Sequence, residues 1–110
     1  MSNTYKRLGA TVVIADTDTG LYTVPSSTSA VVGNIHVCNL GSTARTFRIA
    51  IVDGAIGVVT DEDYLYYDVE IAANSGVAFN IGITLPTTYT ILVRANHADV
   101  VFSAFGAEIS

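Results

Sequence analysis

Short runs of strand-forming residues, separated by turn residues at roughly 8–12-residue spacing, are the feature that most limits how this chain can fold. Val, Ile, Thr, Tyr and Phe dominate these runs, and such β-branched and aromatic residues favour strands over helices. Runs spaced in this way predict an all-β sandwich or barrel. The predicted strands are 10–15, 21–24, 30–39, 44–52, 64–71, 77–83, 88–95 and 98–105.

Within most runs, apolar residues alternate with polar or small ones, and this alternation assigns the two faces of each strand. The last run is different, because it is apolar on both faces. That pattern is typical of a central strand covered on each side, or of a strand at a subunit contact. The predicted inward-facing rows are Val31, Ile35 and Val37; Phe47, Ile49 and Ile51; Leu65, Tyr67, Val69 and Ile71; Val77, Phe79, Ile81 and Ile83; and Tyr89, Ile91, Val93 and Ala95.

Short turns join nearly all neighbouring runs, and parallel strands would require much longer crossovers. The sheets are therefore predicted to be antiparallel and packed as a sandwich of about eight strands, with jelly-roll or immunoglobulin-like connections. The alternation does not distinguish these two topologies. We expect one domain over residues 10–110, preceded by a polar arm over residues 1–9 that is either a flexible end or orders on a neighbouring subunit.

The composition points toward protein contacts. The chain of 110 residues is 50% hydrophobic and 14% charged, against about 25% charged in average proteins. The excess apolar surface is buried within the sandwich or against another subunit, and the low charge favours a contribution from the second. A net charge of −5 with five basic residues argues against nucleic-acid binding and against binding to an anionic membrane surface.

Acidic residues concentrate in one part of the chain, with six of the ten lying between positions 53 and 70. They form either a solvated acidic edge or a patch that pairs with a basic partner. The single cysteine, Cys38, permits no internal disulfide and fits a reducing cytoplasm. We expect neither a signal peptide nor a membrane span, because no apolar run approaches the roughly 18 residues that a span needs.

No motif in the sequence indicates a catalytic, cofactor or metal site. The turn 16–20 begins like a calcium loop, but Gly20 and Ser27 occupy the fifth and twelfth positions where ligands belong. His36 and His97 have no ligand at metal-binding spacing. We therefore predict that the protein is not an enzyme.

The candidate contact residues fall into two groups. Tyr64 and Tyr66 are predicted to point outward beside Asp68 and Glu70, and tyrosine is a preferred interface residue. The alternative is that neighbouring strands or a loop cover both rings. The second group belongs to the N-terminal arm and consists of Tyr5, Lys6, Arg7 and Leu8.

Several segments, taken in order, resemble a family of small β-sandwich proteins encoded by tailed bacteriophages and prophages. They are LYTVP (21–25), AVVGNIHVCN (30–39), TFRIAIV (46–52), DYLYYDVEIAAN (63–74), GITL (82–85) and FSAFGAEI (102–109). The resemblance implies a virion structural protein, made in the host cytoplasm, and it carries over no catalytic residues.

Two functions follow as hypotheses. The first is a capsid decoration, or cement, subunit that binds other virion proteins and stabilises the capsid lattice as a homo-oligomer, with a trimer expected by analogy. The alternative is a tail- or fibre-associated subunit that binds a receptor or glycan, with Tyr64, Tyr66, Asp61 and Asp63 as its site.

Overall fold

A computed structural model describes residues 3–54 and 59–110, and over these residues the chain is all-β, with one short 3-10 turn, η1 (Asp61–Asp63). The predicted antiparallel sandwich is confirmed. The eight strands are β1 (Asn3–Val12), β2 (Thr19–Thr23), β3 (Ser29–Asn39), β4 (Arg45–Asp53), β5 (Tyr64–Ile71), β6 (Ser75–Leu85), β7 (Tyr89–Ala95) and β8 (Val100–Ile109).

The strand order resolves the topology that the sequence left open. The first sheet has the order β1-β8-β3-β6 and the second has the order β2-β7-β4-β5. The pairs β1·β8, β2·β7, β3·β6 and β4·β5 are those of one long antiparallel ribbon. Rolling that ribbon up adds the pairs β3·β8 and β4·β7. This arrangement is a jelly roll rather than an immunoglobulin-like sandwich.

The core lies between the two sheets and is centred on Phe47. Its ring contacts those of Phe102, Phe79 and Tyr66, with centroids 6.2, 5.7 and 6.5 Å away. The predicted inward rows of β4 and β7 are confirmed, since Phe47, Ile49, Ile91, Val93 and Ala95 are buried. Burying each large apolar side chain contributes about 1.5–3 kcal/mol.

One predicted inward residue of β3 is wrong. Ile35 and Val37 are buried as expected, but Val32 is fully buried in place of Val31. The pairing of β3 shifts register between Val32 and Asn34, so Gly33 lies in a bulge. A bulge adds one residue to a strand and reverses the faces beyond it.

The predicted faces of β5 are wrong over its first half for the same reason. Tyr66 packs against the core, while Leu65 and Tyr67 are 42% and 56% exposed. The pairing of β5 with β4 shifts register twice, once before and once after Ile49 of β4. Asp68 adopts a φ of 51°, a left-handed conformation that Asp accepts more readily than most residues. Beyond it, Val69 and Ile71 face inward as predicted.

The segment assigned to the arm lies in a strand where the structure describes it. Residues 3–9 form the first part of β1 and pair with β8, and residues 1 and 2 lie outside the described range. Backbone pairing with β8, the packing of Leu8 against the core and the contact of Lys6 with Glu108 hold this segment, although it has no continuous apolar face. The first strand therefore begins seven residues before the predicted start at residue 10.

Candidate protein-contact surface

The outer face of the first sheet is the side of that sheet turned away from the core. Residues directly opposite one another in antiparallel strands share a face, so three cross-strand rows define this surface. They are Arg7–Phe105–Asn34–Asn80, Ala10–Ser103–His36–Ala78 and Val12–Val101–Cys38–Gly76.

This outer face carries little charge for a solvent-facing sheet. Arg7 is the single Lys, Arg, Asp or Glu among its twelve residues. Val12 is 63% exposed and Phe105 is 38% exposed, whereas antiparallel sheets usually place polar residues on the side that faces water. The His36 ring packs edge-on against Phe105, with centroids 5.3 Å apart.

Further exposed apolar residues extend the face at both ends. Tyr5, 80% exposed, lies in the next outward row beside Ala107. Ile14 and Leu40 lie just beyond the ends of β1 and β3, two residues after Val12 and Cys38 of this face. Five of the eight exposed large apolar residues of the described chain therefore lie on this face or within two residues of it along the chain: Tyr5, Val12, Ile14, Leu40 and Phe105. Contiguous apolar surface of this kind marks interaction sites.

The centre of the face is a shallow groove over β8. Small side chains at Ala10 and Ser103 form its floor, and Val12, His36 and Cys38 border it. Such a groove can receive an apolar side chain of a partner. The sequence signal that pointed to this surface was the last predicted strand, which is apolar on both faces.

The outer face of the second sheet is covered differently. Ala50 and Leu92 on that side are buried, and two described parts of the connection between β4 and β5, Gly54 and η1, contact this sheet. The Thr90 hydroxyl donates to the Gly54 carbonyl at 3.1 Å, and η1 contacts β4. The chain thus covers part of one outer face itself and leaves the other uncovered over the described residues.

The four predicted contact residues of the arm do not share one surface. Tyr5 and Arg7 lie on the outer face of the first sheet. Lys6 points to the opposite side, where its Nζ lies 2.8 Å from the Glu108 carboxylate, and Leu8 packs against the core. Whether any of them contacts a partner stays a prediction.

The two predicted tyrosines of β5 also separate. Tyr66 contacts Phe79 in the core, with centroids 4.4 Å apart, whereas Tyr64 packs edge-on against Tyr67 at 4.9 Å. Tyr64, Tyr67 and Asp61 line one shallow depression. Sequence reasoning missed Tyr67, because the bulge that turns it outward left no signal in the alternation.

Electrostatic contacts fix the geometry of this depression. Arg48 donates two hydrogen bonds to Asp68, at 2.7 and 3.2 Å, and its guanidinium carbon lies 4.1 Å from the Tyr67 ring centroid. The hydrogen bond from Arg48 lowers the pKa of Asp68, and the same bond raises the pKa of Arg48. Asp63 accepts a hydrogen bond from the Thr60 backbone N–H at 3.0 Å, which holds it in the turn. Of the predicted glycan site, only Asp61 and Tyr64 line the depression.

The candidate metal-binding residues do not converge in the described part of the chain. No group of three or more His, Cys, Asp or Glu side chains that could hold a metal occurs there. Asp18 of the calcium-like turn lies 3.4 Å from Arg94, and His97 Nδ1 accepts a hydrogen bond from the Asp99 backbone N–H. No helix in the described residues is long and apolar enough to cross a membrane.

Comparison with known proteins gives structural neighbours only. No protein-family model matches the chain, and no curated protein matches it. The chain is similar to a pentameric capsid protein isolated from metagenomic phage sequences, at 18% identity and a TM-score of 0.41, over 91% of this chain and 60% of that one. A second structure of a pentameric capsid protein from metagenomic phage sequences, solved by iodide SAD phasing, matches at 16% identity and a TM-score of 0.34, over 91% of this chain and 61% of that one. The chain thus spans about 60% of the length of these neighbours.

Proposed function

We propose that the protein is a structural subunit of a tailed-phage virion, a decoration or cement protein that docks on the capsid through the outer face of the first sheet. The observation that carries the proposal is the nearly uncharged, apolar outer face, on which Val12 and Tyr5 are more than half exposed. The resemblance of the sequence to small phage β-sandwich proteins also supports it. The jelly roll occurs in capsid proteins, although a fold alone does not determine a function.

The size of this surface bears on how the protein would bind. Four strands at about 4.8 Å spacing and ten residues at about 3.4 Å each make a face of roughly 19 by 34 Å. That is roughly 650 Å², somewhat below the 800 Å² or so that each partner buries in a standard interface. One copy alone would bind modestly, and an oligomer bound at several lattice points would gain from multivalency. Docking in this way would stabilise the lattice by linking neighbouring capsid subunits.

Capsids prepared without this protein provide the test. Adding the purified protein back should place it on the capsid surface in electron micrographs and raise the temperature at which the particles open. Val12→Glu should abolish both effects, because it buries an unpaired carboxylate within the contact. Leu65→Glu is the matched control, since Leu65 is 42% exposed on the other sheet, and it should behave like the unmodified protein.

Two results would contradict this proposal. One is the absence of the protein from the capsid surface together with binding to tails or host cells. The other is equal impairment by Val12→Glu and Leu65→Glu in variants whose circular dichroism is unchanged, because the outer face of the first sheet would then have no special role.

The second candidate function is a tail- or fibre-associated subunit that binds a glycan. The observation favouring it is the depression that combines two aromatic rings, Tyr64 and Tyr67, with the Asp61 carboxylate. Aromatic faces stack on sugar rings, and a carboxylate accepts hydrogen bonds from their hydroxyl groups. Glycan-array binding that is lost in Tyr67→Ala but kept in Val12→Glu would favour this function over capsid decoration.

A further inference from the structure

We propose that two copies of this chain pair through β6, edge to edge and antiparallel, so that two first sheets join into one sheet of eight strands. We expect this dimer to form in solution, and the proposal does not depend on where in a virion the protein lies. The evidence for this pairing is the contrast between β6 and the other three edge strands of the sandwich.

A jelly roll of two four-stranded sheets has four edge strands, here β1, β6, β2 and β5. Natural proteins protect such edges with charges, prolines, short strands or bulges. Here β1 carries Lys6 and Arg7, β2 has five residues, and β5 carries Asp68 and Glu70 with two register shifts. Three of the four edges are therefore protected against pairing with another strand.

β6 lacks these protections over most of its length. Its eleven residues, SGVAFNIGITL, include no charged residue and no proline. It pairs regularly with β3 from Ser75 to Asn80 and then bulges at Gly82, where φ is 62°. The regular stretch is long enough, at about 3.4 Å per residue, to offer roughly 20 Å of unpaired backbone donors and acceptors.

The side chains on the inner face of β6 are also incompletely covered. Val77 is 40% exposed, and Phe79, Ile81 and Ile83 are half-buried against the core. On the opposite side of the sandwich, Lys6 and Tyr22 both contact Glu108 and hold the two sheets together. On the β6 side, the Tyr66–Phe79 ring contact joins the sheets. A strand added beside β6 would cover the row that begins at Val77.

A second copy fits this edge because β6 carries no charged residue of its own. Each copy has a net charge of −5, so two copies repel each other least when they meet at an uncharged strand. Glu70 of the neighbouring β5 points away from this side, because Val69 and Ile71 on either side of it pack inward. Antiparallel pairing of β6 with itself has two-fold symmetry, which closes the assembly at two copies. It sets no like charges opposite each other.

Paired edges would also enlarge the docking surface. The row Ala10–Ser103–His36–Ala78 runs across the first sheet from β1 to β6. In the dimer it would continue through Ala78 of the second copy, so that the outer faces of two copies form one surface of about twice the area.

Charge placed at Ala78 tests the pairing directly, because this exposed residue lies in the middle of the regular stretch of β6. Analytical ultracentrifugation should show a dimer for the unmodified chain at micromolar concentrations. Ala78→Lys and Ala78→Glu should each weaken it by about tenfold or more, because like charges then meet across the two-fold axis. Mixing the two variants should restore the dimer. Ala10→Lys, an exposed alanine at the other end of the same row, should leave it unchanged.

Hydrogen–deuterium exchange of the unmodified chain gives a second measurement that needs no variant. Amides of residues 75–81 should exchange more slowly as the protein concentration rises, while those of the β5 edge should not change. A monomer at all micromolar concentrations, a trimer, or a dimer that Ala78→Lys leaves intact would overturn the proposal. None of these results would bear on whether the outer face of the first sheet docks on a capsid.

Discussion

Glu108 shows how a single side chain holds the two sheets together. Its carboxylate lies 2.8 Å from Lys6 Nζ and accepts a hydrogen bond from the Tyr22 hydroxyl of the other sheet. Two hydrogen bonds lower the pKa of Glu108, and the one from Lys6 has a larger effect than the one from Tyr22. Burial, together with the Glu108 contact, raises the pKa of Tyr22. With its pKa raised, the Tyr22 hydroxyl stays protonated and continues to donate to Glu108 further into the alkaline range than an ordinary tyrosine would.

The lowered pKa of Glu108 gives its contact a defined pH dependence. A carboxyl group with a lower pKa in the folded state contributes stability above its unfolded pKa, about 4.3, and loses that contribution as the pH falls through the folded value. Glu108→Gln should therefore lower the free energy of unfolding by about 1 kcal/mol at pH 7. The deficit should shrink below about pH 4.

Urea denaturation of both proteins at neutral and acidic pH measures this difference. Tyr22→Phe is the control, because it removes one hydrogen bond and leaves the Lys6–Glu108 pair in place. Its deficit should depend less on pH than that of Glu108→Gln. A Glu108→Gln deficit of the same size at both pH values would show that the ion pair does not contribute.

At the scale of the strands, irregular pairing determines which residues face the core. β3 and β5 each change faces at a bulge, at Gly33 and around Asp68. In the first case the change buries Val32, and in the second it exposes Tyr67 beside Arg48. The candidate glycan site therefore exists because β5 departs from regular alternation.

Close packing of β8 between β1 and β3 leads to a prediction at the same scale. A methyl group at Gly106 would overlap the Val31 carbonyl of β3, and backbone atoms cannot move aside as a flexible side chain can. Gly106→Ala should lower the free energy of unfolding by about 1–3 kcal/mol, as overpacking usually does. Thermal denaturation followed by circular dichroism measures the loss.

Gly76→Ala is the matched control for Gly106→Ala. A methyl group there would meet the Val37 carbonyl at 3.6 Å, an ordinary contact distance. This variant should unfold close to the temperature of the unmodified chain. If both substitutions have the same effect, the loss at Gly106 reflects the removal of glycine in general and not the approach of β3.

For the whole molecule, most of the exposed large apolar side chains and the acidic stretch lie on different sheets. The outer face of the first sheet contains Arg7 as its single charged residue, while Asp61, Glu62, Asp68 and Glu70 lie on β5 and the turn before it. Docking through the first sheet would therefore depend on apolar burial and little on ion pairs.

The salt concentration distinguishes docking by apolar burial from docking by ion pairs. Association with capsids through the outer face of the first sheet should change little between low salt and about 1 M salt, where the Debye length is about 3 Å. The measurement is the amount of protein that sediments with the capsids at each salt concentration. A steep loss with salt would indicate that the acidic stretch pairs with a basic partner instead.

The sequence alone determined the presence of eight strands, the antiparallel sandwich and most of the inward rows, such as Phe47 with Ile49 and Ile91 with Val93. These features could be predicted because strand propensity and alternation are local properties of the chain. The tertiary structure decided the jelly-roll order, the extension of β1 to Asn3, and the inward position of Tyr66. Each of these depends on pairing between strands far apart in sequence: β1 is held by β8, and β5 changes face where Asp68 binds Arg48 of β4. The uncovered face and the open β6 edge likewise result from which strands pair, and a pattern of neighbouring residues does not contain that information.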